Sequence, residues 1–195
     1  QANIGQRIVA HVPVAGGEVL EEGIFDLDGV AFPGAEIALE FLDPGADPEN
    51  GGGPMFPTGR TSNVWAVPGG GDCTVTLLTA GAPTLFVRAA DLGLRGTEMQ
   101  QALDAAPAAR EALVALRRKA AVLLGAASTE AEADVASPHV PRVCFVSPPA
   151  GYSTSAGKHI KPSDIDVAAR ILSLGRLHPA MTGTGAVALA VAAAV

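Results

Sequence analysis

Apolar residues alternate with polar ones along the first forty positions, and recur at three-to-four spacing further on. Residues 7–14 (Arg-Ile-Val-Ala-His-Val-Pro-Val) alternate and are β-branched, which predicts a strand. Residues 18–21 predict a short second strand after the Gly16-Gly17 turn, and residues 24–30 a third alternating stretch that ends in a turn. Residues 36–42 predict a strand with Ile37, Leu39 and Phe41 facing inward. Residues 43–54 then carry almost no apolar side chain, and their Pro, Gly, Asp and Asn content marks a linker, with a lobe boundary between about residues 43 and 61. Beyond it, residues 63–67, 72–79 and 83–88 predict three strands between Gly-rich turns. Thr97 stands where a helix N-cap belongs, and residues 108–124 place Leu113, Leu116, Ala120 and Leu124 on one helical face. Residues 142–147 read as a buried strand. Residues 164–174 fit a strand through Ile165 and Val167, or a helix through Ile171, Leu172 and Leu174. Residues 186–195 form a wholly apolar run that predicts a buried helix, too short to cross a hydrocarbon layer of about 30 Å.

Composition narrows the function classes. Of 195 residues, 48% are hydrophobic and 17% charged, which supplies a core and argues against disorder. A formal charge of -7 repels a phosphate backbone, and 4% aromatics give few stacking platforms, so nucleic acid is not an expected partner. The one dense basic run, Arg117-Arg118-Lys119, falls on the helical pattern and reads as a solvated face. Cys73 and Cys144 each lie in an apolar, β-branched run and read as buried strand thiols. His11 has no Cys, His or carboxylate partner at ligand spacing, so it reads as a structural histidine. Asp43, Asp47 and Glu49 do not make a calcium loop, because prolines interrupt them and the closing glutamate is missing. No metal, organic cofactor or membrane contact is expected. Residues 1–5 are neutral with no apolar core behind them, which sets the cytoplasm as the expected location. Gln1 at one end, and an uncapped apolar run reaching Val195 at the other, suggest a piece of a longer protein cut at both ends.

The segment that carries chemistry is His178-Pro-Ala-Met-Thr-Gly-Thr-Gly-Ala. Thr182, Gly183, Thr184 and Gly185 are small, so a ligand can approach the backbone, and the apolar helix follows at once. The first N–H groups of a helix lack partners and sit at its positive end, which makes such a start an anion site. A plain turn with an N-cap accounts for the same residues. The segment lacks the Gly-Lys-Ser/Thr of a phosphate loop and the third Gly of a dinucleotide fingerprint.

Several stretches together resemble the PrpF family within the diaminopimelate-epimerase-fold superfamily. They are Gln1-Ala-Asn-Ile-Gly-Gln-Arg-Ile-Val-Ala-His-Val-Pro-Val, Asp28-Gly-Val-Ala-Phe-Pro-Gly-Ala-Glu-Ile, Glu40-Phe-Leu-Asp-Pro, Met55-Phe-Pro-Thr-Gly and Ala80-Gly-Ala-Pro-Thr-Leu-Phe-Val. Ala90-Asp-Leu-Gly-Leu-Arg-Gly-Thr-Glu, Ser163-Asp-Ile-Asp-Val and the loop from Leu174 to Ala188 continue the match in order. The resemblance implies an α+β fold of two similar lobes, each a curved, mostly antiparallel sheet around a central helix. Residues 1–60 would be the end of the first lobe plus a linker, and residues 61–195 a second lobe truncated at its C-terminal end. It implies a cofactor-independent isomerase that moves a proton in an unsaturated polycarboxylic acid such as 2-methylaconitate, aconitate or oxalomesaconate. The substrate would be a small molecule, and a homodimer stays open. Thr182, Gly183, Thr184, Gly185, Met181 and His178 would line the substrate, with Thr84 at the place of the epimerases' Asn-Pro-His loop. No catalytic base is expected in this chain. A Gly-Asn-Cys-Gly loop and a proton-transferring lysine would precede it, and a His-Pro-Ser-Gly loop would follow. Lys158 reads as an exposed loop lysine. The epimerases carry a catalytic cysteine where this chain has Thr182, whose hydroxyl is far too weak an acid for two-thiol racemisation. An epimerase of the same fold and a non-catalytic carboxylate-binding module are the competing readings.

Overall fold

The computed structural model describes residues 7–27, 30, 32–45, 53–69, 71–155 and 157–195. The early alternation does form strands, in narrow pairs. β1 (Ile8–His11) runs antiparallel to β4 (Ala38–Phe41), and β2 (Val14–Ala15) to β3 (Glu18–Val19). Gly16 and Gly17 close the second pair at φ of 62° and 87°, where a side chain would be strained. Of the third expected stretch, Phe25 makes a single bridge to Gly34; residues 28 and 29 lie outside the described residues. Residues 1–6, 31 and 46–52, which carry parts of the quoted family stretches and of the expected linker, also lie outside them.

Two expectations for this region are corrected. Ile37 and Leu39 are 51% and 55% exposed, because a two-stranded ribbon offers an apolar face but no second layer to cover it. His11 does have a carboxylate partner: its Nε2 lies 2.7 Å from Glu40 Oε1, across β1 and β4. Strand pairing, rather than sequence spacing, brings the two together.

The main sheet starts with β5 (Asn63–Ala66), β6 (Asp72–Ala80), β7 (Ala82–Arg88) and β8 (Arg142–Ser147). A small hairpin of β9 (Tyr152–Ser153) and β10 (His159–Ile160) precedes β11 (Ala168–Ser173) and β12 (Arg176–Leu177). Six strands lie in the order β12-β11-β8-β7-β6-β5. Every neighbouring pair is antiparallel except β7 with β8, which run parallel. The link between those two carries α1 (Gln100–Asp104), α2 (Pro107–Leu123) and α3 (Ala133–Ala136). Residues 164–174 thus resolve as a short 3-10 turn followed by a strand, since β11 has β8 and β12 to bond on its two sides.

Alternation along these strands divides the core in two. Val75, Leu77, Leu85, Val87, Phe145 and Leu172 pack on one face with Leu113, Leu116 and Ala120 of α2. Leu78, Ala80, Phe86, Cys144 and Ile171 point the other way, towards Ala188 of α4 (Gly183–Ala194). Leu77, Leu85 and Phe145 are fully buried, each contributing about 1.5–3 kcal/mol by area. Only Gly185 and Ala188 of α4 are buried, so the expected burial of this helix is met along one stripe and not all round. No helix among the described residues is long and apolar enough to cross a membrane.

Two further corrections concern the crossover. Thr97 is not the helix cap: α1 begins after Met99, and Glu98 uses its carboxylate to hold the Arg95 and Gly96 amides at 2.6 and 2.9 Å. Nor is the basic run a solvated face. Arg117 donates to Ser137 O at 2.8 Å and to Asp134, Arg118 shares that carboxylate, and Lys119 lies 4.9 Å over the Trp65 ring. The run ties α2 to α3 and to β5.

The hydrogen bond from Arg118, reinforced by Arg117, holds the Asp134 carboxyl below its usual range. Its contribution to stability is therefore present above the ordinary carboxylate range, and fades as pH falls through the lowered value. Asp134→Asn should destabilise the protein at neutral pH by no more than about 1 kcal/mol, the pair being half-exposed. The gap in melting temperature between the two proteins should close on acidification, and a gap that widens would refute this clamp.

Candidate functional site

Thr182 starts α4 in an extended conformation, φ -73° and ψ 145°. Its Oγ1 accepts the Gly185 amide at 3.2 Å, while its carbonyl accepts the Ala186 amide at 2.8 Å. The amides of Gly183 and Thr184, at the first two helical positions, have no intrahelical acceptor and stand at the positive end of the helix.

Three contacts fix where this helix start sits. His178 N donates to Ile171 O at 2.8 Å, which hangs the preceding loop on β11. Gly185 is pressed against the sheet: a Cβ there would fall 2.6 Å from both Ile171 Cδ1 and Thr182 Oγ1. Gly81, at the tip of the β6–β7 hairpin with φ 65°, fits beneath the first turn, its missing Cβ 3.0 Å from Val187 and 3.1 Å from Thr184 O. Gly183 is the opposite case. A Cβ at that position meets nothing within 4 Å.

The residues named from sequence fall into two groups. Thr182, Gly183 and Thr184 present a hydroxyl and two amides at the helix start, with Gly185 packed beneath them. Met181 is half-buried and packs into the core on the α4 side of the sheet. His178 turns back on its own loop. Its Nδ1 lies 2.6 Å from Ala180 O and must donate there, so the 3.4 Å approach of Ala180 N to the same atom is no hydrogen bond. Thr84 is fully buried on β7, on the face turned towards α4, and gives its hydroxyl to Ala82 O at 3.1 Å. Lys158 is exposed in the β9–β10 hairpin; Ala156, in the same loop, lies outside the described residues.

One residue escaped the sequence reading. Arg142 opens β8, directly beside Thr84 in the parallel pair, and its Nη1 donates to Thr182 Oγ1. It shares the strand face of Cys144, which packs towards α4. The available signal was a lone charge at the head of an otherwise apolar strand. Nothing local linked it to a residue 40 positions away.

Burial pushes the Cys144 thiol up to about 12 and, with Asp91 and Asp72 nearby, raises that of Cys73. A hollow of about 770 Å³ is bounded by Gly125, Ala127, Ser128, Glu132 and Val135. It lies on the α2 side of the sheet, away from Arg142 and Thr182.

A mixed sheet with a capped helix start on one face, and an arginine beside the cap, defines an α+β protein. The chain belongs to the PrpF family, whose model, described as PrpF protein, matches residues 1–195. It is 46% identical over 195 residues to a 2-methyl-aconitate isomerase of Shewanella oneidensis, an alignment that covers 100% of this chain and 49% of that protein. Identity to a 3-methylitaconate isomerase of Eubacterium barkeri is 31% over 183 residues, covering 93% of this chain and 47% of the relative. A crystal structure of methylitaconate-delta-isomerase aligns with a TM-score of 0.80 at 30% identity, over 93% of this chain and 46% of that one. This chain therefore spans about half the length of these relatives.

The two glycines should respond differently to alanine. Gly185→Ala should cost about 1–3 kcal/mol, because Ile171 or the cap must move. Gly183→Ala should stay within about 0.5 kcal/mol of the parent in a thermal or urea melt. Equal losses would contradict the packing described. Mass-mapped thiol labelling of the folded protein at pH 8 should leave Cys73 and Cys144 unmodified, and modify both after denaturation; labelling of folded Cys144 would show that it is not buried as described.

Proposed function

We propose that this chain forms one wall of the active site of a cofactor-independent cytoplasmic isomerase, which moves a proton within an unsaturated polycarboxylic acid. Its relatives are named for 2-methylaconitate and 3-methylitaconate, and oxalomesaconate enters through a more distant 4-oxalomesaconate tautomerase of Pseudomonas putida, 31% identical over 157 residues. Acids of this kind present more than one carboxylate next to a double bond. Removal of a proton from the allylic carbon leaves a dienolate-like anion, and return of a proton to the far end of the conjugated system completes the isomerisation. Charge accumulates meanwhile on carboxylate oxygens.

The observation that carries the proposal is the α4 start, where the first amides lack intrahelical acceptors and Arg142 donates to the hydroxyl of the Thr182 cap. Preorganised donors of this kind stabilise developing negative charge by about 2–4 kcal/mol each. Met181, His178 and Thr84 shape the surroundings of these donors. The proton-transferring groups belong to the other lobe of the parent protein, with the cleft between the helix starts of the two lobes. Residues 1–60 belong to that first lobe and its linker, and residues 61–195 to this one. Racemisation by a pair of thiols is disfavoured, since Thr182 stands where the second would be and Cys144 is buried with a raised pKa.

Ultraviolet absorbance of the conjugated acid, followed with the full-length protein, tests the proposal. At least one of 2-methylaconitate, trans-aconitate and oxalomesaconate should be converted, and no change in any of them would overturn the isomerase assignment. Gly183→Val should leave the protein folded yet lower turnover by about 100-fold or more. Near-normal turnover would move the carboxylate away from the helix start.

A further inference from the structure

β6 is longer than the edge strand beside it. It runs from Asp72 to Ala80, while β5 pairs with it only from Asp72 to Val75. Its outer edge from Thr76 onward would leave backbone groups without partners, which folded chains avoid. The described ends of the expected linker take that place. Thr76 Oγ1 donates to Thr61 O at 2.7 Å, the Thr79 amide to Met55 O at 2.8 Å, and the Gly81 amide to Pro44 O at 2.9 Å. Gly45 forms an antiparallel bridge with Ala80. A stretch whose composition reads as a free connection is therefore tied, at both described ends, to the far end of one strand.

Those ties meet α4 at a single residue. Gly81 is buried and gives its N–H to Pro44, while its missing Cβ would stand 3.0 Å from Val187 and 3.1 Å from Thr184 O. Its φ of 65° also makes the position costly for any side chain. Met55 and Phe56 pack in the same apolar cluster as Leu189, Val191 and Ala192 of α4. Linker, hairpin tip and first helical turn are thus in continuous contact, with no side chain at position 81 to act as a spacer. In the isomerase reading, the residues before Pro44 lead to the other lobe. A cleft between two helix starts works only if their separation is fixed, since a misplacement of about 1 Å can cost about 100-fold in rate.

We infer that Gly81 is a positioning residue, the joint at which the interlobe connection, docked on the end of β6, sets the place of α4 over the sheet and against the other lobe. The inference rests on the isomerase reading for its effect on turnover, and on packing alone for its effect on α4. It requires no particular ligand at the helix start.

The test compares Gly81→Ala with Gly93→Ala in the full-length protein. The two glycines have nearly the same φ, 65° and 68°, so a methyl group strains both backbones alike. Only at Gly81 does it press on α4, because a Cβ at Gly93 meets nothing within 4 Å. Hydrogen exchange at Gly185 and Ala186, in the first turn, should speed up by about tenfold or more in Gly81→Ala and keep its wild-type rate in Gly93→Ala. On a converted acid, kcat should fall by about tenfold or more in the first variant and stay within about twofold in the second. Val187→Ala makes room for the added methyl, so Gly81→Ala/Val187→Ala should recover part of both losses. In the wild type, the Thr79 and Gly81 amides should be as protected as those in the middle of β6. Exchange of these two at the rate of an exposed loop, matching behaviour of the two alanine variants, or a double variant no better than Gly81→Ala would overturn the inference. If Gly81→Ala does not fold, Val187→Leu crowds the same gap from the helix side and is judged by the same criteria. The altered α4 exchange in a protein that converts none of the acids would sink the isomerase reading and leave the joint standing. Altered exchange with unchanged kcat would overturn the positioning role and leave the isomerase reading intact.

Discussion

The parallel pairing of β7 with β8 is the constraint on which the rest of the arrangement depends. An antiparallel neighbour could have been reached by a short turn, but a parallel one requires a crossover, supplied here by α1, α2 and α3. That crossover covers one face of the sheet and leaves the other for α4. The register of the pair then sets Thr84 beside Arg142, and Arg142 within reach of Thr182. A slip of one residue would turn Arg142 into the α2-side core, where an unpaired guanidinium is costly to bury.

How much of this could be read from the chain depended on how local the cause was. Strands β6, β7 and β8 were legible because both their faces are buried and their residues are β-branched and apolar; the face of α2 was legible because its contacts repeat with the helix period. The inward placing of Ile37 and Leu39 failed for a definable reason. Alternation shows which side of a strand is apolar, but not whether anything covers it. The same limit applies to the open side of α4. Thr97 resembled a cap because a side-chain oxygen there satisfies helix amides, but Glu98 drew the preceding turn together instead.

The candidate site was half legible. Thr182 to Gly185 is a contiguous signal, and helix-terminus physics makes it a candidate anion site without any tertiary information. Arg142 is not contiguous, and only the sheet brings it to Thr182. Arg117, Arg118 and Asp134 make the same point, since a run of like charges looked solvated until its carboxylate arrived from a later helix.

Gly185 and Gly183 stand two residues apart in one helix turn, and their surroundings divide the work. Gly185 has no room for a methyl group, so it fixes the distance between helix and sheet; Gly183 has open space before it. In the proposed site, location and chemistry are encoded by separate positions. A lineage could exchange the groups at 183 and 184 while the scaffold stayed in place, whereas drift at 185 would move the scaffold itself. Changes of substrate in such a fold are cheap at the rim and expensive one residue further in.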